Sequence, residues 1–181
     1  MTVSQRTKLD ITSLVNQAVS NVSLTGGVFQ LNLALTNNSA QAYVPLVDLN
    51  VIGINSTSGT VSVINADNGK NGKSAANAAL FSYSDKLGSD ETFSANEATG
   101  TRTLRFQDSA SEMFTYDAVI TAYVSTGGGS SSSSSQSGAG APPAGGGGTS
   151  TLLPLSKLKA VMRFTANPLT KTVTAQLIGL K

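Results

Sequence analysis

The chain contains no cysteine, no histidine and no tryptophan among its 181 residues. Without cysteine, neither a disulfide framework nor a cysteine-ligated metal site can form. Without histidine, the Ser-His-Asp and Cys-His nucleophile systems, histidine-ligated zinc and the commonest general base near neutral pH are excluded. Only carboxylates, lysine, tyrosine and serine remain as reactive groups, so we predict a protein that is not an enzyme and has no catalytic residues.

Charged residues are also scarce, at 12% of the chain, and Ser, Thr, Asn, Gly and Ala fill most positions outside the apolar ones. This composition favours an extracellular, cell-surface or particle-surface β protein. No apolar run approaches the roughly 20 residues that span a bilayer, so we expect no membrane span. The N-terminus MTVSQRTKLD lacks the apolar centre of a signal peptide. We therefore expect either a mature form or a protein that never used that export route, such as a virion component.

Apolar residues alternate with polar ones in several short runs, which is the period of a strand with one buried face. The clearest run lies between the turn sequences TGG and TNNS and has four apolar residues on one face: Phe29, Leu31, Leu33 and Leu35. A change of phase near Gly53 predicts a β-bulge or a face switch. With about seven such runs, we predict an all-β fold, an antiparallel two-sheet β-sandwich with one short helix over 10–18, a barrel being the alternative.

A polar loop over 65–79 contains the sequence DNGKNG, in which oxygen-bearing side chains alternate with glycine as they do in calcium loops. The glutamate that closes an EF-hand loop is absent, because Ala78 stands at that position. Turn chemistry alone accounts for the pattern, and a calcium ion shared between loops is the alternative. We predict no cofactor, and name four residues as the candidate calcium ligands: Asp67, Asn68, Asp85 and Asp90.

The segment 125–151, STGGGSSSSSSQSGAGAPPAGGGGTST, has almost no apolar side chain to bury, so we expect a flexible Gly/Ser/Pro linker. A coil of that length spans roughly 28 Å from end to end, which reaches either the same body or a neighbour. We therefore divide the chain into a β-sandwich body over 1–124, the linker, and a C-terminal β-hairpin over 152–181.

The C-terminal hairpin is predicted from two alternating runs that flank the turn sequence NPLTK. A two-stranded hairpin is marginally stable alone in water, so its apolar face must be buried on something. The residues expected at that interface are Ala160, Met162, Phe164, Val173, Ala175 and Leu177. We expect the hairpin to complete a sheet either of its own body or, by β-strand addition, of a neighbouring subunit.

Charge favours docking of the tail on a body. Residues 118–181 hold five basic groups and no acidic one, whereas residues 1–117 hold seven basic and ten acidic groups, a balance of −3. The tail and the body therefore attract each other, although salt screens the attraction. Nucleic acid is the competing partner for a basic tail, but Phe164 is the only aromatic residue of the hairpin segment 152–181, and we predict no nucleic-acid binding.

The succession FSYSD, TRTLRFQD and MFTYDAVITAYV, together with LNLALTNNSAQAYVPLVDLNVIGI, resembles the immunoglobulin-like or fibronectin-type-III-like modules of bacterial secreted and cell-surface proteins. The resemblance covers about residues 19–124. It implies a β-sandwich but not one function, because such modules serve as spacers, adhesion domains, enzyme appendages and fibre subunits.

We predict a non-catalytic extracellular structural module, a subunit of a surface filament or other assembly that self-associates or binds other surface proteins by β-strand addition. The alternatives are a carbohydrate-binding or adhesion module, an accessory domain of a larger secreted enzyme, and a virion structural protein. Tyr43 and Tyr123 would support carbohydrate binding if they lay exposed on one face. Four other aromatics fit core positions: Phe81, Tyr83, Phe114 and Tyr116.

Overall fold

A computed structural model describes residues 6–125 and 160–179. The described chain is all-β and contains no α-helix, only three short 3-10 turns, at Thr12–Leu14, Ala75–Asn77 and Ser84–Lys86. Ten strands follow one another along the chain: β1 (Arg6–Asp10), β2 (Val15–Thr25), β3 (Val28–Asn37), β4 (Val44–Ser56), β5 (Ser62–Val63), β6 (Ala79–Ser82), β7 (Arg102–Gln107), β8 (Phe114–Ser125), β9 (Ala160–Asn167) and β10 (Thr172–Gly179).

The strands form two antiparallel sheets, an arrangement consistent with the predicted β-sandwich. One sheet has the order β2-β3-β7-β5, and the other has the order β10-β9-β8-β4-β6 with β1 also paired to β8. β1 and β9 share one edge of β8, since β1 pairs with residues 121–125 and β9 with residues 114–118. The six-stranded sheet is therefore five strands wide, and the opposite sheet is four strands wide.

The core lies between the two sheets and is rich in aromatic rings. The predicted inward face of β3 is confirmed, because Phe29, Leu31, Leu33 and Leu35 are all fully buried. Aromatic pairs join the sheets: the Phe29 and Phe114 ring centroids lie 5.5 Å apart, edge to face. The four aromatics assigned to the core from the sequence are also buried.

The predicted bulge near Gly53 is confirmed, because the β4–β8 register shifts between Val51 and Gly53. The short helix predicted over 10–18 is wrong. Asp10 Oδ1 accepts hydrogen bonds from the backbone N–H of Thr12 at 3.0 Å and from its hydroxyl at 2.6 Å. Such short polar side chains compete with helical hydrogen bonding. The chain makes one 3-10 turn at Thr12–Leu14 and then begins β2 at Val15, where it pairs with Asn37 of β3.

Thr12 also fixes the place where β1 gives way to β9 on the edge of β8. Its hydroxyl accepts a hydrogen bond from the N–H of Ile120 at 2.8 Å, and Ile11 donates its N–H to the Ile120 carbonyl at 2.9 Å. The edge of β8 is thus occupied by β1, then by this turn, then by β9. The predicted linker begins at Ser125, the last residue of β8, and 126–151 lies outside the described residues, as do 152–159 of the predicted hairpin segment.

Candidate strand-addition edge

The two sheets have edges on two sides, and the side formed by β5 and β6 is closed by side chains of the loop between them. Asn65 satisfies the outer edge of β7: its amide donates to the Thr103 carbonyl at 2.8 Å, and its Oδ1 accepts from the Arg105 N–H at 2.8 Å. Side-chain oxygens also accept hydrogen bonds from the backbone on the outer edge of β6. Asn68 Oδ1 accepts from the Leu80 N–H at 3.1 Å, and Asp67 Oδ2 accepts from the Ser82 N–H at 2.7 Å.

Two of the candidate calcium ligands, Asp67 and Asn68, therefore serve as acceptors for the backbone of an edge strand. Asp67 and Asp85 both face the side chain of Arg102. The Arg102 guanidinium is paired with Asp67 and lies 3.7 Å from the carboxylate of Asp85. Asp85 also contacts Lys86 at 3.0 Å, and the hydrogen bond from Lys86 lowers the pKa of that carboxyl.

The fourth candidate ligand, Asp90, belongs to a local turn. Its carboxylate accepts from the Thr92 N–H at 3.2 Å and from the Thr92 hydroxyl at 2.7 Å, and the hydroxyl in particular lowers the pKa of Asp90. Within residues 6–125 and 160–179, no group of three or more acidic residues is placed to hold a metal ion. Polar loops with this composition supply hydrogen-bond acceptors to a strand edge as readily as to a cation.

On the opposite side, β2 ends one sheet and β10 ends the other. β2 is blunted by a β-bulge between Ser20 and Ser23, where the exposed Asn21 has a φ of +49°. Bulges of this kind twist an edge away from further pairing. β10 has none of these features. Its eight residues, TVTAQLIG, pair with β9 without any shift of register and include neither a charged residue nor a proline.

The inward face of β10 is only partly covered. Residues directly opposite each other in an antiparallel pair lie on the same face of the sheet. The register places Val173, Ala175 and Leu177 opposite Ala166, Phe164 and Met162, respectively. The three β9 side chains are buried, as is Ala160. On β10, Val173 is half-buried, Ala175 is exposed and Leu177 is 48% exposed.

The predicted interface set is thus divided between two environments. Phe164 belongs to the core of the body, because its ring stacks on Tyr116 with centroids 4.6 Å apart and an interplanar angle of 5°. On the outer face, Arg163 forms a bidentate pair with Asp117 of β8, with N···O distances of 2.8 and 2.9 Å. Bidentate geometry is directional, so this pair fixes the register of β9 on β8. The β10 members lie on an edge strand whose outer side is not paired with any other described strand.

The tyrosines considered as a carbohydrate platform do not form one. Tyr43 is fully buried, and its ring lies 6.5 Å from that of Phe93. Tyr123 is half-buried, with Lys8 Nζ 5.9 Å from its ring centroid. The two tyrosines therefore do not lie exposed on one face, which is the arrangement that would have favoured a sugar site.

Sequence reasoning did not single out the outer backbone edge of β10, since hydrogen-bonding edges have no residue signature of their own. The signal that could have found it is the absence of charge between Lys171 and Lys181.

The search of family models, the search of curated proteins and the search of solved structures each returned no match for this chain. In the described part of the chain, no helix has the length and apolarity needed to cross a membrane.

Proposed function

We propose that this protein is a non-catalytic, extracellular structural module that enters an assembly by β-strand addition at β10. One observation supports this above the others: β10 combines an uncharged, unbulged outer edge, with which no strand of residues 6–125 and 160–179 pairs, with the exposed inward side chains of Ala175 and Leu177. Natural sheets blunt such edges with charge, proline or bulges because an unprotected edge pairs with other chains. A strand added there would hydrogen-bond to the main chain of β10 and cover Leu177.

The strand order supports an immunoglobulin-like body for this module. The sheet β2-β3-β7-β5 corresponds to the A-B-E-D order of such domains, and β4-β8-β9 corresponds to C-F-G. In that correspondence β9 is the last strand of the domain, β10 extends its sheet by one strand, and β1 and β6 are additions. The 34 residues 126–159 then stand where such domains have the loop between strands F and G.

The carboxylates are arranged for structure in the described chain, which supports a non-catalytic role. Asp117 is held by Arg163, and Asp108 is buried in the turn that follows β7. Asp48 is 4% exposed on β4, and burial raises the pKa of its carboxyl. The register places Asp48 opposite Thr121, well along the strand from Asp117. The low content of charge and the abundance of small polar residues favour a location outside the cell.

The proposal is tested by placing a charge on the inward face of the free edge, with Ala175→Lys. A lysine there is exposed in the monomer but would be buried against an added strand, so we expect association to fall at least tenfold. Ala18→Lys is the matched control, because Ala18 is an exposed alanine on the other edge strand, β2. Sedimentation velocity over a hundredfold range of concentration, with electron microscopy of the same samples, measures the effect. A wild-type chain that stays monomeric throughout, or equal loss in both variants, contradicts the proposal.

A further inference from the structure

We propose that the strand added to β10 is β10 of a second copy, running antiparallel and related by a two-fold axis at Ala175. This inference rests on the proposed function and specifies the partner and the register. The two six-stranded sheets would then continue into one another through their β10 edges. The argument depends on which edges of the body are open, on the side-chain pairs that self-pairing creates, and on charge.

The available edges favour a symmetric contact. Head-to-tail addition requires β10 of one copy to find a different open edge on the next. Among the described strands, the other edges are protected: β6 is paired to the side chains of Asp67 and Asn68, β5 has two residues, and β2 has its bulge. β1 has the sequence RTKLD, with three charged residues in five. β10 is the one described edge that lacks such protection, so the partner surface that fits it is β10 itself.

Antiparallel self-pairing about Ala175 brings apolar side chains together on the inward face. There, Val173 of each copy lies opposite Leu177 of the other, and the two Ala175 residues face each other at the axis. On the outward face, Thr174 lies opposite Gln176, two polar side chains able to hydrogen-bond, and Thr172 lies opposite Ile178. Cross-strand pairs are the unit of sheet stabilisation, and bulky apolar pairs on either side of a small central pair leave no clash at the axis.

Charge places no barrier against this pairing. Residues 172–179 are all uncharged, so no like charges come together within the contact. The nearest basic side chain, Lys171, would stand opposite Gly179 of the other copy, which has no side chain to repel it. A strongly charged strand would gain no electrostatic attraction from this uncharged edge. An uncharged strand such as β10 needs none to pair there.

The absence of cysteine makes the register directly testable by single-cysteine variants. Directly opposed residues have Cβ atoms about 4.5–5.5 Å apart, close to the distance that a disulfide bridges. We expect Ala175→Cys to form a covalent dimer under mild oxidation, and Ala18→Cys, the matched variant on β2, to form at least tenfold less. Both alanines are exposed, so folding is expected to be retained and is checked by far-ultraviolet circular dichroism.

A mixture of Val173→Cys and Leu177→Cys chains tests the pairing away from the axis. The mixed pair should cross-link, whereas each variant alone should not, because two copies of the same residue would stand four residues, about 13 Å, apart along the strands. All three results together support the two-fold register. Equal cross-linking of Ala175→Cys and Ala18→Cys overturns it.

The cross-linking result separates this inference from the proposed function. If Ala175→Cys fails to cross-link while the wild-type chain associates and Ala175→Lys abolishes association, then another strand occupies the edge, and only the two-fold register is overturned. If the wild-type chain does not associate at any concentration, both the inference and the proposed function are overturned.

Discussion

Phe164 provides the strongest test of whether β9 is part of the folding core. Its side chain is fully buried and stacks on Tyr116, with ring centroids 4.6 Å apart. Truncation of a buried phenylalanine to alanine costs about 3–5 kcal/mol through lost burial and the cavity that remains. The free energy of unfolding of a native domain is about 5–15 kcal/mol in total. Phe164→Ala should therefore remove a large share of the stability of the whole chain.

Urea denaturation followed by circular dichroism measures this loss. For a protein of this size the denaturant slope is about 2 kcal/mol per molar, so a loss of about 4 kcal/mol lowers the unfolding midpoint by about 2 M. Leu169→Ala is the control, because Leu169 lies in the turn between β9 and β10 and is 79% exposed. Surface changes of that kind stay within about 0.5 kcal/mol.

The reasoning is refuted if Phe164→Ala costs less than about 1 kcal/mol, or if its cost equals that of Leu169→Ala. Either result would mean that the body folds without β9 and that the Tyr116–Phe164 stack is peripheral. A loss that depends on protein concentration would have a different meaning. It would indicate that β9 and β10 are supplied by a second chain, because the stability of an exchanged strand includes the free energy of association.

Two further substitutions test buried polar groups. Within the described chain the buried Tyr116 hydroxyl has no hydrogen-bond partner, so Tyr116→Phe should raise stability by about 1 kcal/mol in the same urea assay, and a loss of that size would reveal a partner. Burial raises the pKa of the Asp108 carboxyl above its usual 3.8, so as pH rises the unfolded chain loses this proton before the folded chain does, and the contribution of Asp108 to stability falls. The difference in stability between Asp108→Asn and the wild type should therefore move in favour of the variant as pH rises from 3 to 7. A difference that does not change with pH would contradict this.

The strand pattern could be predicted from the sequence where one face of a strand is buried along its whole length. β3 is such a case, with four leucine or phenylalanine residues at a spacing of two and turn residues at both ends. The region 10–18 could not be assigned correctly, because Ile11, Val15 and Val19 fit a helical spacing as well as a strand. The contact that decides it, between Thr12 and Ile120, joins residues 108 positions apart.

The oxygen-rich loop shows a second limit of sequence reasoning. Asp67, Asn68 and Asn65 have the side chains of a calcium loop, and the structure uses the same oxygens to accept backbone N–H groups at 2.7–3.1 Å. Both uses require an acceptor held by a tight turn. The sequence shows the acceptor and the turn, but the position of the strand edge that lies beside them is fixed only by the pairing of β6 with β4.

β9 and β10 are similar in pattern but differ in burial, because β9 lies inside its sheet and β10 is the edge strand. Periodicity in a sequence tells which face of a strand a side chain occupies, but a second layer of protein is needed to bury that face. The wider sheet exceeds the other by one strand. At the β6 end the loop side chains close the gap, whereas at the β10 end Leu177 keeps half its surface exposed although Met162 beside it is buried. An added strand at β10 would cover this exposed surface, so the proposal of strand addition rests on the geometry of the fold and not on a residue motif.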